Sequence, residues 1–186
     1  MLKITALILG VIILNKSYIP NAFTFVNLSL GICSILSAFE QDYILASILI
    51  IAAGLVDRYD GRVARYFNAS SELGKELDSL ADLVSFGVAP SILIFLLFNL
   101  RTFTDFDVVG LIILLTYPIC GAFRLARYNT SSFDGSFRGV PITIAGCIIA
   151  GFVLITNNMN ISAIVPVVIM FILSYLMVSN FKLKKL

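Results

Sequence analysis

Four aspartates at fixed spacing are the residues of this chain best suited to chemistry. Asp57 and Asp60 are three positions apart and Asp78 and Asp82 are four apart, so on helices each pair shares one face. Converging carboxylates repel one another unless cations neutralise them, and oxygen ligands without Cys or His favour Mg²⁺ or Mn²⁺, with Ca²⁺ as the alternative. Two such ions can grip a pyrophosphate and stabilise both the attacking and the leaving oxygen of an in-line displacement. The spacing therefore predicts a metal site made of these four aspartates.

Small and basic residues beside the first two aspartates predict a phosphate-bearing ligand. Gly61 and Ala64 share the helical face of Asp57 and Asp60, and they leave space for a ligand close to the backbone. Arg65 can contact a phosphate with its guanidinium fork. The alternative is a solvated, salt-bridged loop, which is the ordinary role of a charge run. The register argues against that alternative, because acids elsewhere in the chain show no such spacing.

The composition predicts that apolar membrane helices position these charges. Hydrophobic residues make up 59% of the 186 residues and charged residues 13%, and the mean hydropathy is +1.00. The apolar runs are continuous and near the ~20 residues that cross a bilayer as a helix, which favours helices over barrel strands. Ionisable groups at membrane depth tend to mark function. The net charge of +2 gives no reason to expect a nucleic-acid partner, and the absence of histidine excludes His ligands and His bases.

We predict an all-α, polytopic membrane helix bundle with six transmembrane helices in a single domain, residues 1–186. Residues 4–14 are too short to span, so residues 1–16 are predicted to form a short N-terminal interfacial helix, and Pro20 to begin the first span. Pro90 is expected to kink the third span. The short turn between the second and third spans should pack them antiparallel and bring their aspartates together. The predicted spans are about 20–39, 43–66, 72–100, 108–127, 141–156 and 162–180.

The distribution of bases predicts the orientation of the bundle. One side of the membrane collects nearly all of them and the other has Arg101 alone, and an excess of Lys and Arg marks the cytoplasmic side. Both termini and the aspartates are therefore expected on the cytoplasmic side. The bases on that side are Lys16, Arg58, Arg62, Arg65, Lys75, Arg124, Arg127, Arg138, Lys182, Lys184 and Lys185.

The charged stretch resembles a known family signature. Residues 57–82 meet the pattern D-x2-D-G-x2-A-R-x8-G-x3-D-x3-D without departure, and this pattern is similar to that of the CDP-alcohol phosphotransferase family. The resemblance implies two divalent cations, a CDP-activated lipid or head group as donor, CMP as leaving product, and Asp82 as catalytic general base. It also implies a homodimer in the inner membrane of a prokaryote. The residues that meet the pattern are Asp57, Asp60, Gly61, Ala64, Arg65, Gly74, Asp78 and Asp82.

The resemblance implies a nucleotide site that reaches beyond the pattern. Asn21, Thr24 and Asn27, at i, i+3 and i+6 of the first span, would touch the nucleotide or its phosphates together with Ser71. Taken alone, the first three are explained as well by capping and interhelical hydrogen bonds. From the pattern itself, Asp57, Gly61, Ala64 and Arg65 would line the CDP-lipid site. The small residues Ala145, Gly146, Ala150 and Gly151 would allow the close helix packing that a homodimer requires.

The segments that flank the pattern favour serine as the acceptor. GKELDSLADLVSFGVAPS, CGAFRLARYN and FRGVPITIAG are similar to segments of the bacterial and archaeal family members that join CDP-diacylglycerol and L-serine. Serine needs a cation for its carboxylate and a hydrogen-bond acceptor for its ammonium group. The candidate contacts, which would serve equally as positive-inside anchors or lipid-phosphate contacts, are Arg124, Arg127, Asn129 and Arg138.

Two alternatives remain open at the level of the sequence. Another member of the same family would use glycerol phosphate or inositol phosphate as acceptor, or an archaeal ether lipid as donor. A non-enzymatic cation channel or transporter would use the carboxylates as an ion site, and it predicts metal-dependent flux without release of CMP.

Overall fold

The computed structural model of the chain is built almost entirely of helices, and it describes residues 2–67, 71–100, 108–130, 137–179 and 182–183. The predicted all-helical class is confirmed, apart from one pair of two-residue strands. The helices are α1 (Leu2–Phe39), α2 (Tyr43–Phe67), α3 (Glu72–Asp82), a π-helical segment (Leu83–Val88), α4 (Ala89–Leu97), α5 (Val108–Thr130), α6 (Ile142–Thr156) and α7 (Ile164–Val178). The strands β1 (Phe137–Arg138) and β2 (Lys182–Leu183) pair antiparallel.

The first helix is continuous and differs from its prediction. α1 comprises 38 residues, so residues 2–19 continue the helix of the first span instead of forming the separate helix predicted over residues 1–16, whereas the apolar stretch Asn21–Phe39 agrees with the predicted span of about 20–39. A proline inside a membrane helix removes one hydrogen bond, but neighbouring groups can satisfy the freed carbonyl. The helix continues through Pro20 although it is flanked by the polar residues Asn15, Lys16, Ser17 and Asn21. At 1.5 Å per residue α1 is about 57 Å long, so part of it extends beyond the ~30 Å of hydrocarbon.

The described helices have the length and surface of membrane-integral helices. Three stretches are long and apolar enough to cross a bilayer, Asn21–Phe39, Glu72–Leu97 and Gly110–Thr130. α6 and α7 are apolar but have 15 residues each. Large apolar side chains face outward in several helices, and the exposed fractions of Ile155 and Tyr175 are 72% and 75%. Such surfaces suit lipid rather than water.

α1 is the helix on which the two aspartate-bearing helices pack. α2 and α3 each pack mainly against α1 and little against one another, which differs from the predicted antiparallel pairing of α2 with α3. The Ser34 hydroxyl donates to the carbonyl of Ala46 at 2.8 Å across the α1–α2 interface. Gly31 lies so close to Ser85 that any side chain at position 31 would clash. Small and weakly polar residues permit this close approach in membranes, and α1 thereby fixes α2 and α3 relative to each other.

An irregular helical segment follows α3 directly. The amide of Ala89 donates to the carbonyl of Val84, five residues earlier, which is the π-helical pattern. Pro90 was predicted to kink this span, and the irregularity takes the form of a π segment that ends two residues before it. Gly146 of α6 packs onto the segment, since a Cβ at that position would lie 2.8 Å from the Cβ of Phe86. π segments are frequent at functional sites, and this one begins immediately after Asp82.

Candidate active site

Three of the four predicted ligand aspartates meet between α2 and α3. Asp57, Asp78 and Asp82 each contribute one carboxylate oxygen, and these oxygens lie within 4.8 Å of one another. Asp82 is buried, whereas Asp57 and Asp78 are half-buried. At 4.8 Å and an effective dielectric constant of ~20, two unit charges repel by about 3.5 kcal/mol. The fourth aspartate, Asp60, lies on α2 one turn after Asp57, and its side chain is outside the described residues.

The donor set of this cluster fits a hard divalent cation. All three converging atoms are carboxylate oxygens, and the chain contains no histidine. Mg²⁺, Mn²⁺ and Ca²⁺ prefer such oxygen ligands. A cation would also offset the repulsion among the three carboxylates. Asp57, Asp78 and Asp82 are therefore the described residues that could hold one.

A hydrogen-bonded connection from α1 holds the carboxylate of Asp82. Asn27 Nδ2 donates to Asp82 Oδ1 at 3.1 Å, and the Ser85 hydroxyl donates to the backbone carbonyl of Asn27 at 2.9 Å. Asn27 and Ser85 are fully buried, with exposed fractions of 1% and 0%. Because a carboxylate only accepts, the amide must turn its NH₂ group toward Asp82. The other atom of that amide, Asn27 Oδ1, has no hydrogen-bond partner in the described part of the chain.

A buried arginine on α5 supplies positive charge near the cluster. Arg124 is 9% exposed, and its guanidinium group attracts the carboxylate of Asp82. Buried charges are normally paired or coordinated, because desolvation is costly. Arg124 Nε nevertheless has no hydrogen-bond partner among the described residues. The predicted residue Arg124 therefore lies at the candidate site.

An apolar groove between α2 and α6 begins at the cluster. It has a volume of about 590 Å³, and Ile51, Leu55, Ile144 and Ile148 line it with Asp57 at one end. At that end the hydroxyl of Thr143 donates to Asp57 Oδ2 at 3.4 Å. The groove thus joins an aliphatic surface to the acidic cluster.

Two of the predicted nucleotide residues, Asn21 and Ser71, lie at the N-terminus of α3. The Ser71 hydroxyl accepts a hydrogen bond from the amide of Gly74 at 3.0 Å, so Ser71 is the N-cap of α3. Asn21 Oδ1 lies 3.3 Å from the position that a Cβ on Gly74 would take. The glycine of the pattern therefore lets α1 approach α3 closely. Thr24 is buried on α1 with an exposed fraction of 3%.

The remaining predicted nucleotide residues lie on the second half of α2. Gly61, Ala64 and Arg65 belong to that helix, but their side chains are outside the described residues. Their predicted contacts with a CDP group therefore stay predictions.

Arg127, predicted as an acceptor contact, donates hydrogen bonds to the C-terminal end of α7. Its Nη1 donates to the carbonyl of Val178 at 2.9 Å, and its Nη2 approaches the carbonyls of Met177 and Ser179 at 3.4 Å each. The last carbonyls of a helix lack partners within the helix and carry partial negative charge. A guanidinium group from α5 therefore caps α7 and stabilises the contact between these two helices.

The other two predicted acceptor residues lie at different places. Asn129 Nδ2 donates to the hydroxyl of Ser79 at 2.9 Å and to Glu76 Oε1 at 3.2 Å, which ties the end of α5 to α3. Arg138 belongs to β1, and its side chain is outside the described residues. Among the predicted acceptor residues whose side chains are described, Arg124 is the one that attracts the carboxylate of Asp82.

Sequence reasoning did not anticipate Ser85 and Thr143 as contacts of the site. Ser85 follows Asp82 by three positions, and Thr143 lies in the FRGVPITIAG segment, so both were close to residues already singled out. Their hydrogen bonds join residues 58 and 86 positions apart. No local pattern reveals which side chains meet at such separations.

Comparison with known proteins agrees with this geometry. Residues 17–178 match a family model described as CDP-alcohol phosphatidyltransferase. The chain belongs to the CDP-alcohol phosphatidyltransferase family. The matched range contains the acidic cluster, Asn27 and Arg124, and it confirms the family predicted from the eight-position pattern.

Several curated relatives are similar over most of the chain. A CDP-diacylglycerol–serine O-phosphatidyltransferase of Helicobacter pylori is 38% identical over 149 residues, which are 78% of this chain and 61% of the relative. The chain thus spans less than two thirds of that relative's length. One of the same name from Bacillus subtilis is 36% identical over 167 residues and covers 89% of both chains. An archaetidylserine synthase of Methanothermobacter thermautotrophicus is 35% identical over 165 residues, 87% of this chain and 67% of the relative.

Proposed function

We propose that the protein transfers the phosphatidyl group of CDP-diacylglycerol to L-serine and releases CMP. The observation that carries the proposal is the convergence of Asp57, Asp78 and Asp82 at one point in a bundle of apolar helices. The family membership explains why such a cluster should face a CDP-activated lipid. The names of the relatives from Helicobacter and Bacillus support serine as the acceptor.

The four aspartates of the pattern would hold two divalent cations, Mg²⁺ or Mn²⁺, with Ca²⁺ as the alternative. Three of them already converge, and Asp60 follows Asp57 by one helical turn. When bound, the cations would neutralise the pyrophosphate and stabilise the negative charge that develops on CMP.

Asp82 is the catalytic base of the proposed reaction. Asn27 holds its Oδ1, which leaves Oδ2 to take the proton from the serine hydroxyl. The serine oxygen then forms a bond to the lipid-side phosphorus, and the bond from that phosphorus to the CMP oxygen breaks. The burial of Asp82 and its attraction to Arg124 keep the carboxylate oriented and shielded from bulk water.

The donor lipid would lie along α2. Asn21 and Ser71 lie near the start of α3, where the helix N-terminus favours phosphate. The predicted nucleotide surface would be completed by Thr24, Gly61, Ala64 and Arg65. The groove between α2 and α6 offers an aliphatic surface for an acyl chain next to Asp57.

The proposed membrane arrangement is that of one domain with six spans. α1, α2, the continuous stretch Glu72–Leu97, α5, α6 and α7 would each cross the inner membrane of a prokaryote. By the positive-inside rule, both termini and Asp82 would lie at the cytoplasmic face. The two helices of 15 residues would require local thinning of the bilayer.

The proposed homodimer rests on the family resemblance. The small residues that were predicted to help it are mostly used inside the chain, because Ala145, Gly146 and Ala150 are buried against other helices. Gly151, by contrast, has nothing within 4 Å of where a Cβ would be. Cross-linking in membranes, with single cysteines placed along the outward face of each helix, would identify any dimer interface.

An acceptor panel tests the proposed function. Purified protein is incubated with CDP-diacylglycerol, a divalent cation and either serine, glycerol 3-phosphate or inositol phosphate, and the lipid products are separated. We expect phosphatidylserine as the main product. Turnover with one of the other acceptors, but not with serine, would refute the proposal.

A second candidate differs only in the donor. The archaeal relative supports an ether-lipid donor with the same acceptor. Parallel reactions with CDP-archaeol and CDP-diacylglycerol, at equal surface concentration in mixed micelles, separate the two candidates by their relative kcat/KM.

A further inference from the structure

Two buried polar atoms of opposite character lie on residues that contact or attract Asp82. Asn27 Oδ1 can only accept hydrogen bonds and Arg124 Nε can only donate them. Neither has a hydrogen-bond partner in the part of the chain that the structure describes. The two residues are 1% and 9% exposed. Buried polar groups are nearly always hydrogen-bonded, so the unpaired acceptor of Asn27 and the unpaired donor of Arg124 require an explanation.

We propose that these two atoms form the acceptor subsite for a zwitterionic α-amino acid. Asn27 Oδ1 accepts a hydrogen bond from the ammonium group, and Arg124 Nε donates to the carboxylate. The hydroxyl of the amino acid is then directed toward Asp82. This inference rests on the proposed function, and it assigns to Asn27 a role other than the nucleotide contact that the family resemblance implies.

The orientation of Asn27 is fixed before any acceptor arrives. Its NH₂ group is held by Asp82 at 3.1 Å and its backbone carbonyl by Ser85 at 2.9 Å. Close packing of Gly31 against Ser85 holds α1 in place one turn further along. Oδ1 is therefore presented in one direction, and preorganised groups lose little free energy when they bind.

Two of the other residues predicted for the acceptor, Arg127 and Asn129, already have partners elsewhere. Arg127 donates to the last carbonyls of α7, and Asn129 donates to Ser79 and Glu76. The ammonium group of Lys75 lies 5.6 Å from the ring centre of Tyr128. Arg124 is thus the basic residue, among those whose side chains are described, that both attracts Asp82 and retains an unpaired donor.

The chemistry of this pair favours an amino acid over a phosphorylated alcohol. An amide oxygen next to a carboxylate attracts an ammonium group and disfavours a second anion. Glycerol phosphate and inositol phosphate carry no ammonium group, so they would leave Asn27 Oδ1 without a partner. Sites built to hydrogen-bond a polar group discriminate strongly against analogues that lack it.

Two serine analogues test the assignment atom by atom. Ethanolamine lacks the carboxylate and 3-hydroxypropionate lacks the ammonium group, and both retain the reacting hydroxyl. The full chain in mixed micelles receives CDP-diacylglycerol and a divalent cation, and kcat/KM is measured for each acceptor. In the unmodified protein we expect serine to exceed each analogue by about 100-fold or more.

The variants should change one selectivity ratio each. Asn27→Leu should reduce the preference for serine over 3-hydroxypropionate to less than about 10-fold and leave the preference over ethanolamine. Arg124→Gln should reduce the preference for serine over ethanolamine to less than about 10-fold and leave the preference over 3-hydroxypropionate. General losses of rate, including those from a misplaced Asp82, cancel in these ratios. Arg127→Gln, one turn along α5 from Arg124, is the matched control and should leave both ratios unchanged.

The outcomes separate this inference from the proposed function. Serine turnover with the same two ratios in all variants would overturn the inference and leave the function standing. No turnover of serine by the unmodified protein, with CMP released to another acceptor, would overturn both. If Asn27→Leu does not fold, the assignment is tested instead by inhibiting serine turnover of the unmodified protein with small analogues. Glycine should compete with serine, and equal competition by acetate or methylamine would contradict the assignment.

Discussion

Replacing Asp82 with Asn should stabilise the metal-free protein while it abolishes phosphatidyl transfer. The three carboxylate oxygens lie within 4.8 Å of one another, so each like-charged pair costs about 3.5 kcal/mol at an effective dielectric constant of ~20. The Asp82→Asn change removes two of the three repulsive carboxylate pairs, those of Asp82 with Asp57 and with Asp78. The new amide oxygen can still accept the hydrogen bond from Asn27. Two effects reduce the gain in stability. Solvent around the half-buried Asp57 and Asp78 screens part of the repulsion, and the variant also loses the attraction between Asp82 and Arg124.

The expected net gain in unfolding free energy is about 1–3 kcal/mol, which corresponds to a rise of roughly 2–12 °C in Tm for a chain of this size. The assay is thermal unfolding of detergent-solubilised protein after treatment with EDTA, followed by far-ultraviolet circular dichroism. The chain contains no tryptophan, so helix content is a better signal than intrinsic fluorescence. Added Mg²⁺ or Mn²⁺ should raise the Tm of the unmodified protein and have little effect on the variant.

Glu76→Gln is the matched control, because Glu76 is an exposed acid on the same helix and lies outside the cluster. Its Tm should change by less than about 2 °C, as is usual for a surface substitution. The reasoning is refuted if the metal-free Asp82→Asn protein melts below the metal-free unmodified protein. It is equally refuted if divalent cations leave the Tm of the unmodified protein unchanged.

Four further substitutions test the packing around the site. Gly146→Ala should lower the Tm by several degrees, because the new Cβ would lie 2.8 Å from the Cβ of Phe86. Gly151→Ala should be neutral or stabilising, since nothing lies within 4 Å of its Cβ. Arg127→Ala should cost about 1–3 kcal/mol by uncapping α7 and leave the KM for serine within about twofold, as measured in parallel thermal and kinetic assays. Ser71→Ala should cost about 1 kcal/mol through loss of the α3 N-cap, measured by the same thermal assay.

Each of these expectations has a result that would contradict it. Equal Tm values for the two glycine variants would show that α6 does not pack tightly onto the π segment. A tenfold rise in the KM for serine without loss of stability would place Arg127 at the acceptor instead of at α7. An unchanged Tm after Ser71→Ala would mean that the cap contributes nothing to α3.

The helices and the ligand cluster could be predicted from local patterns. The bounds of α2, α5 and α6 follow from apolar runs that end at charged or polar turns, and the structure places them within about three residues of prediction. Asp57, Asp78 and Asp82 converge, as the helical spacing of the four aspartates predicted for those whose side chains are described. Pro20 misled the prediction of α1, because a proline ends a helix in water more reliably than in a membrane.

The partners of individual polar side chains could not be predicted in the same way. The hydrogen bond that Asn27 donates to Asp82 joins residues 55 positions apart, and no sequence pattern indicated it. Arg127 and Asn129 are two residues apart, yet one caps α7 and the other contacts α3. Which of these contacts forms depends on how α5 is rotated against its neighbours. That rotation is set by the packing of the whole bundle and not by the sequence around each residue.

The most direct test of the central claim is a stoichiometric reaction in liposomes that contain CDP-diacylglycerol. Purified protein receives labelled serine, and CMP and phosphatidylserine are quantified with and without a divalent cation. The proposed function predicts equal amounts of both products, no reaction in EDTA, and a loss of at least about a thousandfold in kcat for Asp82→Asn. Phosphatidylserine formation at an unchanged rate in EDTA, or by the Asp82→Asn protein, would contradict the claim that the acidic cluster performs the transfer.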